Sequence, residues 1–326
     1  EMSEKNYVCL IIFSVASFLL IVYVLTWVLP EDVYMDRGYP YWSEQKEHVM
    51  VKDNRQEVLL LGDSRIKAAV FADELGKNVY NLAVPAGSPI EMYHTLDNYM
   101  KNHPKPKAVF VAHAPWLLYE FREEQLKQAM QCDYFDIKEM RDILGLVKEN
   151  DGNNYTYLAY AYRYRLPNRY MKQVVVSLVH SQQAENMRIY QKARQHKGRM
   201  IYEPADRAIK EVYPPELKYK VFKCATYMNL YIEKIIELCL ENDIPIYLEQ
   251  MPMGNPGYDM LSNQGYISDY QEYMKQLRDK YQISVNYNIP VYPTEYFFDE
   301  SHLNEKGAHK FTVEFREKYK FIFDEE

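Results

Sequence analysis

Two short segments, far apart in the chain, hold residue types that together can activate an alcohol. The first is Gly62-Asp63-Ser64-Arg65, which closes the apolar run Val58-Leu59-Leu60-Leu61. The second is Asp299-Glu300-Ser301-His302, just ahead of a C-terminal helical pattern. At that spacing the Asp299 carboxylate can accept from one imidazole nitrogen of His302 and fix its tautomer. The other nitrogen then faces a hydroxyl. Ser64 so placed is a nucleophile for acyl transfer, with His302 as base and Asp299 as its orienter. A plain turn is the competing reading of Ser64. The presence of a base and an acid favours the nucleophile.

Acyl transfer also needs donors for a tetrahedral oxyanion. The Ser64 backbone N–H is one. A second apolar run ends in Asn81-Leu82-Ala83-Val84-Pro85-Ala86-Gly87-Ser88-Pro89. Gly87, after a proline turn, would let a backbone N–H approach with no Cβ in the way. Ala86 competes for that position. A third run ends in Val111-Ala112-His113-Ala114-Pro115-Trp116. His113 falls either where a third donor points into the cleft or where a satisfied core histidine sits. Asp63 reads as a turn former bonding local amides, and Arg65 as a solvated residue on the rim. No Cys-x-x-Cys pair or His/Cys ligand spacing occurs, so the sequence calls for no metal and no cofactor.

These residues need a frame. Candidate strands cover 57–61, 78–82, 108–112, 244–249 and 283–287. Helical periods run over 216–242, through Val221, Ala225, Met228, Ile232, Ile235 and Cys239, and over 304–320, through Ala308, Phe311, Phe315 and Tyr319. Asn304 suits the cap of the last helix. Strands alternating with helices predict a parallel sheet with helices on both sides and a site at the carboxyl ends of its strands. About 130 residues separate the third and fourth strands, far more than one crossover needs. Residues 119–215 are therefore a mostly helical insertion. Its tyrosine-rich stretch 153–171 has core packing as the default reading. Contact with glycan, lipid or a partner protein is the other.

Residues 7–29 carry no charge. At ~1.5 Å per residue, about 20 residues cross a bilayer core. Tyr7 and Trp27 suit the two interfaces. The segment predicts one uncleaved membrane anchor, with residues 1–6 a cytoplasmic head. Residues 30–55, polar, acidic and aromatic, read as a stalk. Residues 56–326 form the domain, placed outside the cytoplasm. Lys5 and Arg37 alone flank the anchor, too few for the charge rule to set the orientation. The net charge of −7 and the lack of a dense basic stripe argue against nucleic acid as a partner.

In order and spacing, Gly62-Asp63-Ser64, Gly87 and Asp299-x-x-His302-Leu303 resemble the SGNH (GDSL-type) hydrolase superfamily. The resemblance covers about 56–118 and 216–322. It implies a flavodoxin-like three-layer α/β/α sandwich and a Ser64–His302–Asp299 triad, with the Ser64 and Gly87 amides as oxyanion donors. The third block departs from the family's Gly-x-Asn-Asp. Here Ala112-His113-Ala114 has no Asn, so either His113 substitutes or one donor is missing. With the anchor, the chain is similar in architecture to surface-polymer acylation proteins, namely the teichoic-acid D-alanyl transfer protein and the alginate O-acetylation proteins. This likeness implies an acylated glycan or acyl donor as ligand and a membrane-bound O-acyltransferase as partner. The reading expected is an O-acyl esterase or O-acyltransferase. A lipid esterase or thioesterase is its neighbour. A non-catalytic, glycan-binding accessory subunit is the alternative.

Overall fold

The computed structural model describes residues 3–180, 182–204 and 207–324. Residues 1 and 2 of the expected head, residues 181, 205 and 206 of the expected insertion, and residues 325 and 326 lie outside the described residues. The strands are β1 (Val58–Gly62), β2 (Val79–Asn81), β3 (Ala108–Ala112), β4 (Ile246–Glu249), β5 (Met253–Gly254), β6 (Ser284–Val285) and β7 (Val291–Tyr292). Five of them pair in parallel in the order β2-β1-β3-β4-β6. β5 and β7 form a separate parallel pair.

The pleat explains why the strand sequences read as unbroken apolar runs. Leu59, Leu61, Val109 and Val111 enter one buried cluster with Leu96, Ile232 and Ile235. Val58, Leu60 and Phe110 enter another with Phe311, Phe315 and Tyr319. Both faces of the sheet are covered, so no polar alternation survives. Each large side chain so buried contributes roughly 1.5–3 kcal/mol.

The helices used below are α1 (Glu4–Val28), α2 (Tyr39–Met50), α3 (Ser64–Ala69), α4 (Pro89–Asn102), α5 (Glu123–Gln131), α6 (Ile137–Asp151), α7 (Thr156–Arg163), α8 (Pro167–Val179), α9 (Gln183–Gln195), α10 (Thr226–Glu241), α11 (Asn255–Asn263), α12 (Tyr266–Tyr281) and α13 (Glu305–Lys318). α1 is long and apolar enough to cross a membrane, with a mean hydropathy of 2.9 in its most apolar window. α5 to α9 occupy the expected insertion. Within its tyrosine-rich stretch Tyr162 and Tyr170 are buried, whereas Tyr157 and Tyr164 are exposed. Ser88 caps α4, accepting from the Ile90 N–H, while the Ser88 N–H donates to Glu91 at 2.7 Å. Asn304 caps α13 through the Gly307 N–H at 3.0 Å.

Two expectations about the frame are corrected. Residues 30–55 are not a free stalk. Tyr34 and Trp42 are completely buried, Trp42 edge-on to Tyr134 at 5.0 Å, and Gln45 donates to Thr95 at 3.1 Å. Aromatic residues in a polar stretch here serve packing. The helix expected over 216–242 begins only at Thr226. Ahead of it Val221 faces solvent, Ala225 is extended, and its N–H is given to Leu118 O at 2.8 Å. A non-helical path there pins the end of the insertion to the loop after β3.

Candidate active site

β1 ends on Gly62 because a side chain has no room there. A Cβ on Gly62 would lie 2.0 Å from Ala112 O and 2.5 Å from Ile66 Cγ2. The chain then turns straight into α3. Asp63 caps that helix, accepting from the Arg65 N–H at 2.7 Å. Its second oxygen reaches across to β3 and accepts from the Ala114 N–H at 2.6 Å. Asp63 is thus the local turn former expected, and also a tie between two strand ends.

Ser64 is the first residue of α3, so its own N–H has no partner inside the helix. Its hydroxyl meets His302 Nε2 at 2.7 Å. On the other side of the ring, Nδ1 lies 2.8 and 2.9 Å from the two oxygens of Asp299. An ionised carboxylate only accepts, so Nδ1 carries the proton and Nε2 presents a lone pair to the serine. Asp299 Oδ1 also accepts from the backbone of Ser301 at 2.8 Å and of His302 at 2.9 Å. Partial burial raises the Asp299 pKa, but the His302 contact and these two amides outweigh it, so its carboxyl titrates below the usual range. The loop is closed by the Phe298 N–H donating to His302 O at 2.8 Å. The structure therefore brings Ser64, His302 and Asp299 together across 238 residues of sequence.

The proposed donors fare differently. Gly87 does lie against the Ser64 turn, since a Cβ there would come within 2.9 Å of Gly62 O. Its N–H, however, is given to Val84 O at 3.0 Å. Pro85 followed by Ala86 at φ 59° makes this a tight turn, with Ala86 in the left-handed region. The expectation of Gly87 as a free oxyanion donor is corrected: the glycine is needed for space, and its amide closes the turn. His113 is buried at the end of β3, one residue before the tie to Asp63. Burial lowers its pKa to about 4, so the ring is neutral, and its Nδ1 has no hydrogen-bond partner among the described residues.

Arg65 is not a rim residue. It is buried, and its Nη2 lies 2.8 and 2.9 Å from the two oxygens of the completely buried Glu216. The pair joins the serine turn to the segment that returns from the insertion. Nothing around Arg65 announces this, because the partner lies 151 residues away.

Three further features escaped the sequence. Tyr202, in the insertion, stacks on Phe298 at 4.7 Å and covers the His302 ring at 4.8 Å between centroids. The Arg122 guanidinium lies over Trp116 at 4.1 Å, with Nε and Nη2 buried and without a hydrogen-bond partner among the described residues. Lys67, one turn beyond Ser64, is completely buried, and its amine has no hydrogen-bond partner among the described residues. Only Lys67 left a signal, as one cation in the otherwise apolar stretch 66–72.

Burial lowers the Lys67 pKa from 10.5 to about 8, against the opposing pull of Glu44. The unfolded chain binds this proton more tightly, so the penalty is complete below pH 8 and fades as the pH rises towards 10.5. Lys67→Met is expected to raise stability at pH 7 by about 3 kcal/mol, from a downward shift of roughly two to three units. The gain should shrink at pH 10, as measured by denaturant unfolding at the two pH values. An equal gain at both would show that the amine is not the source.

These features define an α/β protein with a serine–imidazole–carboxylate array at the carboxyl ends of a parallel sheet. The chain belongs to the family described as protein of unknown function DUF1574, whose model matches residues 9–319. No curated protein matches the chain.

Proposed function

We propose that this protein is a membrane-anchored serine acyl esterase or O-acyltransferase. It acts outside the cytoplasm on acyl groups, acetyl foremost, of a cell-surface or exported polysaccharide. The observation that carries the reading is the pair of contacts on one imidazole: Nε2 to Ser64 Oγ at 2.7 Å and Nδ1 to Asp299 at 2.8 Å. In this reading Ser64 Oγ attacks the acyl carbonyl while His302 takes its proton. Asp299 holds the ring and stabilises the imidazolium. The developing oxyanion is met by the Ser64 N–H and by the neutral His113 ring, in place of the family's Asn. His302 then protonates the leaving oxygen. Water or a sugar hydroxyl resolves the acyl-enzyme, giving hydrolysis or transfer by the same groups.

Membership of the SGNH superfamily, with its flavodoxin-like three-layer arrangement, is part of the proposal. It is supported by the parallel order β2-β1-β3-β4-β6 and by buried clusters on both sheet faces. The anchor is α1, and a membrane-bound O-acyltransferase is the partner that would deliver the acyl group. The accessory reading is favoured by one observation, the Gly87 N–H already bonded to Val84 O. A fluorophosphonate probe separates the two. Applied to the full chain in detergent, it is expected to leave one adduct, located at Ser64 by peptide mass. A folded chain that gains no adduct supports the accessory role.

A further inference from the structure

We infer that α8 lies at bilayer depth beside α1, seated among lipid acyl chains as a second, non-spanning membrane element. The inference rests on the reading of α1 as the anchor.

The turn ahead of α8 is fastened to the body-side end of α1. Arg165 Nη1 donates to Thr26 O at 2.5 Å and to Tyr34 Oη at 3.0 Å. Its guanidinium covers Trp27 at 4.6 Å and pairs with Glu31. α8 starts two residues later and packs along α1. Val22, one turn back from Thr26 along α1, is buried although it lies in the apolar helix, and α8 is the element packed on α1. α8 therefore runs back over α1, away from the body. Thirteen residues at ~1.5 Å each carry it about 20 Å in that direction. That is too short to cross a core of about 30 Å.

Its composition changes along the way. Arg169 and Lys172 lie in the first half, and the stretch 173–179 has no charge. The Ser177 hydroxyl is turned inward, donating to Val174 O at 2.7 Å. Tyr170 and Val174 face the protein, while Met171 (40%), Val175 (40%), Leu178 (67%) and Val179 (71%) are exposed. Those four recur at helical spacing and form one stripe. α1, on which α8 packs, also exposes apolar side chains, among them Leu19, Leu20 and Val24. If α1 is in lipid, an element packed along it is in the same medium. A membrane accounts for a bare apolar stripe at this place, where water would not. The chain then returns through α9, whose Asn186 amide donates to Asp32 O at 2.8 Å and Met35 O at 2.9 Å.

The test places a fluorescent nitrobenzoxadiazole label on the full chain in phosphatidylcholine vesicles containing doxyl lipid. Cys132, Cys224 and Cys239 are poor targets, because burial raises all three thiols, the last two to about 12. Cys9, exposed on α1, reports the anchor. Leu178→Cys with Cys9→Ser reports α8, and Glu317→Cys with Cys9→Ser reports the body. The expected result is loss of emission at position 178 matching that at Cys9, with a blue shift at both and neither effect at position 317. A label at 178 that behaves like the one at 317, while Cys9 is quenched, overturns the inference and leaves the anchor standing. Unquenched Cys9 overturns the anchor reading and this inference with it. An unquenched 178 site that forms disulfides between chains overturns it in favour of a second copy as the occupant.

Discussion

Asp299→Asn is expected to lower p-nitrophenyl acetate turnover about 10⁴-fold while the fold persists. The two halves of that statement come from different atoms. Asp299 Oδ1 accepts the Ser301 and His302 amides that shape the loop, and an asparagine oxygen can keep both. What changes is the group facing His302 Nδ1. Oδ1, 2.8 Å from that nitrogen, is kept, but an amide N–H in place of Oδ2 at 2.9 Å sets a donor against the ring proton and favours its move to Nε2. Nε2 then has no lone pair for Ser64. The measurement is kcat beside the thermal unfolding midpoint. Unchanged kcat in the folded variant would falsify the assignment of Asp299 as orienter. Loss of both kcat and fold would make the loop, rather than the tautomer, its main contribution.

Glu216→Ala is expected to cost about 3–5 kcal/mol, the range for leaving one member of a buried ion pair unmatched. Arg65 cannot escape by giving up its proton, and its surroundings include the buried Tyr266 hydroxyl, which has no hydrogen-bond partner among the described residues. The double variant Arg65→Met, Glu216→Leu should recover most of the loss, because the penalty belongs to the stranded charge. Denaturant unfolding of the two variants beside the parent checks this. A single variant within about 1 kcal/mol of the parent would mean that water reaches the guanidinium and that the pair acts as an exposed one.

Some of this architecture was legible because its causes are local. β1, β2, β3 and β4 fall within two residues of the expected runs, since a strand covered on both faces is apolar throughout. Ser64 opens a helix and His302 sits just ahead of one, and both turns declare themselves by Gly, Asp and Asn. Other features depend on distance or on a single dihedral angle. The Arg65 environment is set by Glu216, and the cover over His302 by Tyr202, each contributed by distant chain. The Gly87 amide is consumed because Ala86 adopts a positive φ, which a Val-Pro-Ala-Gly sequence permits but does not demand. Residues 30–55 misled because tyrosine and tryptophan serve a surface and a core equally well.

Trp42 and Tyr34, sealed against Tyr134 and Tyr170, also decide where the chain can be trimmed. A soluble version cut at the apparent start of the sheet, near residue 56, would uncover the ring pockets those two side chains fill. A cut at Pro30 removes the apolar anchor and keeps both side chains, though Tyr34 Oη then loses the Thr26 carbonyl to which it donates at 2.7 Å. The smallest autonomous unit therefore begins well upstream of its first strand.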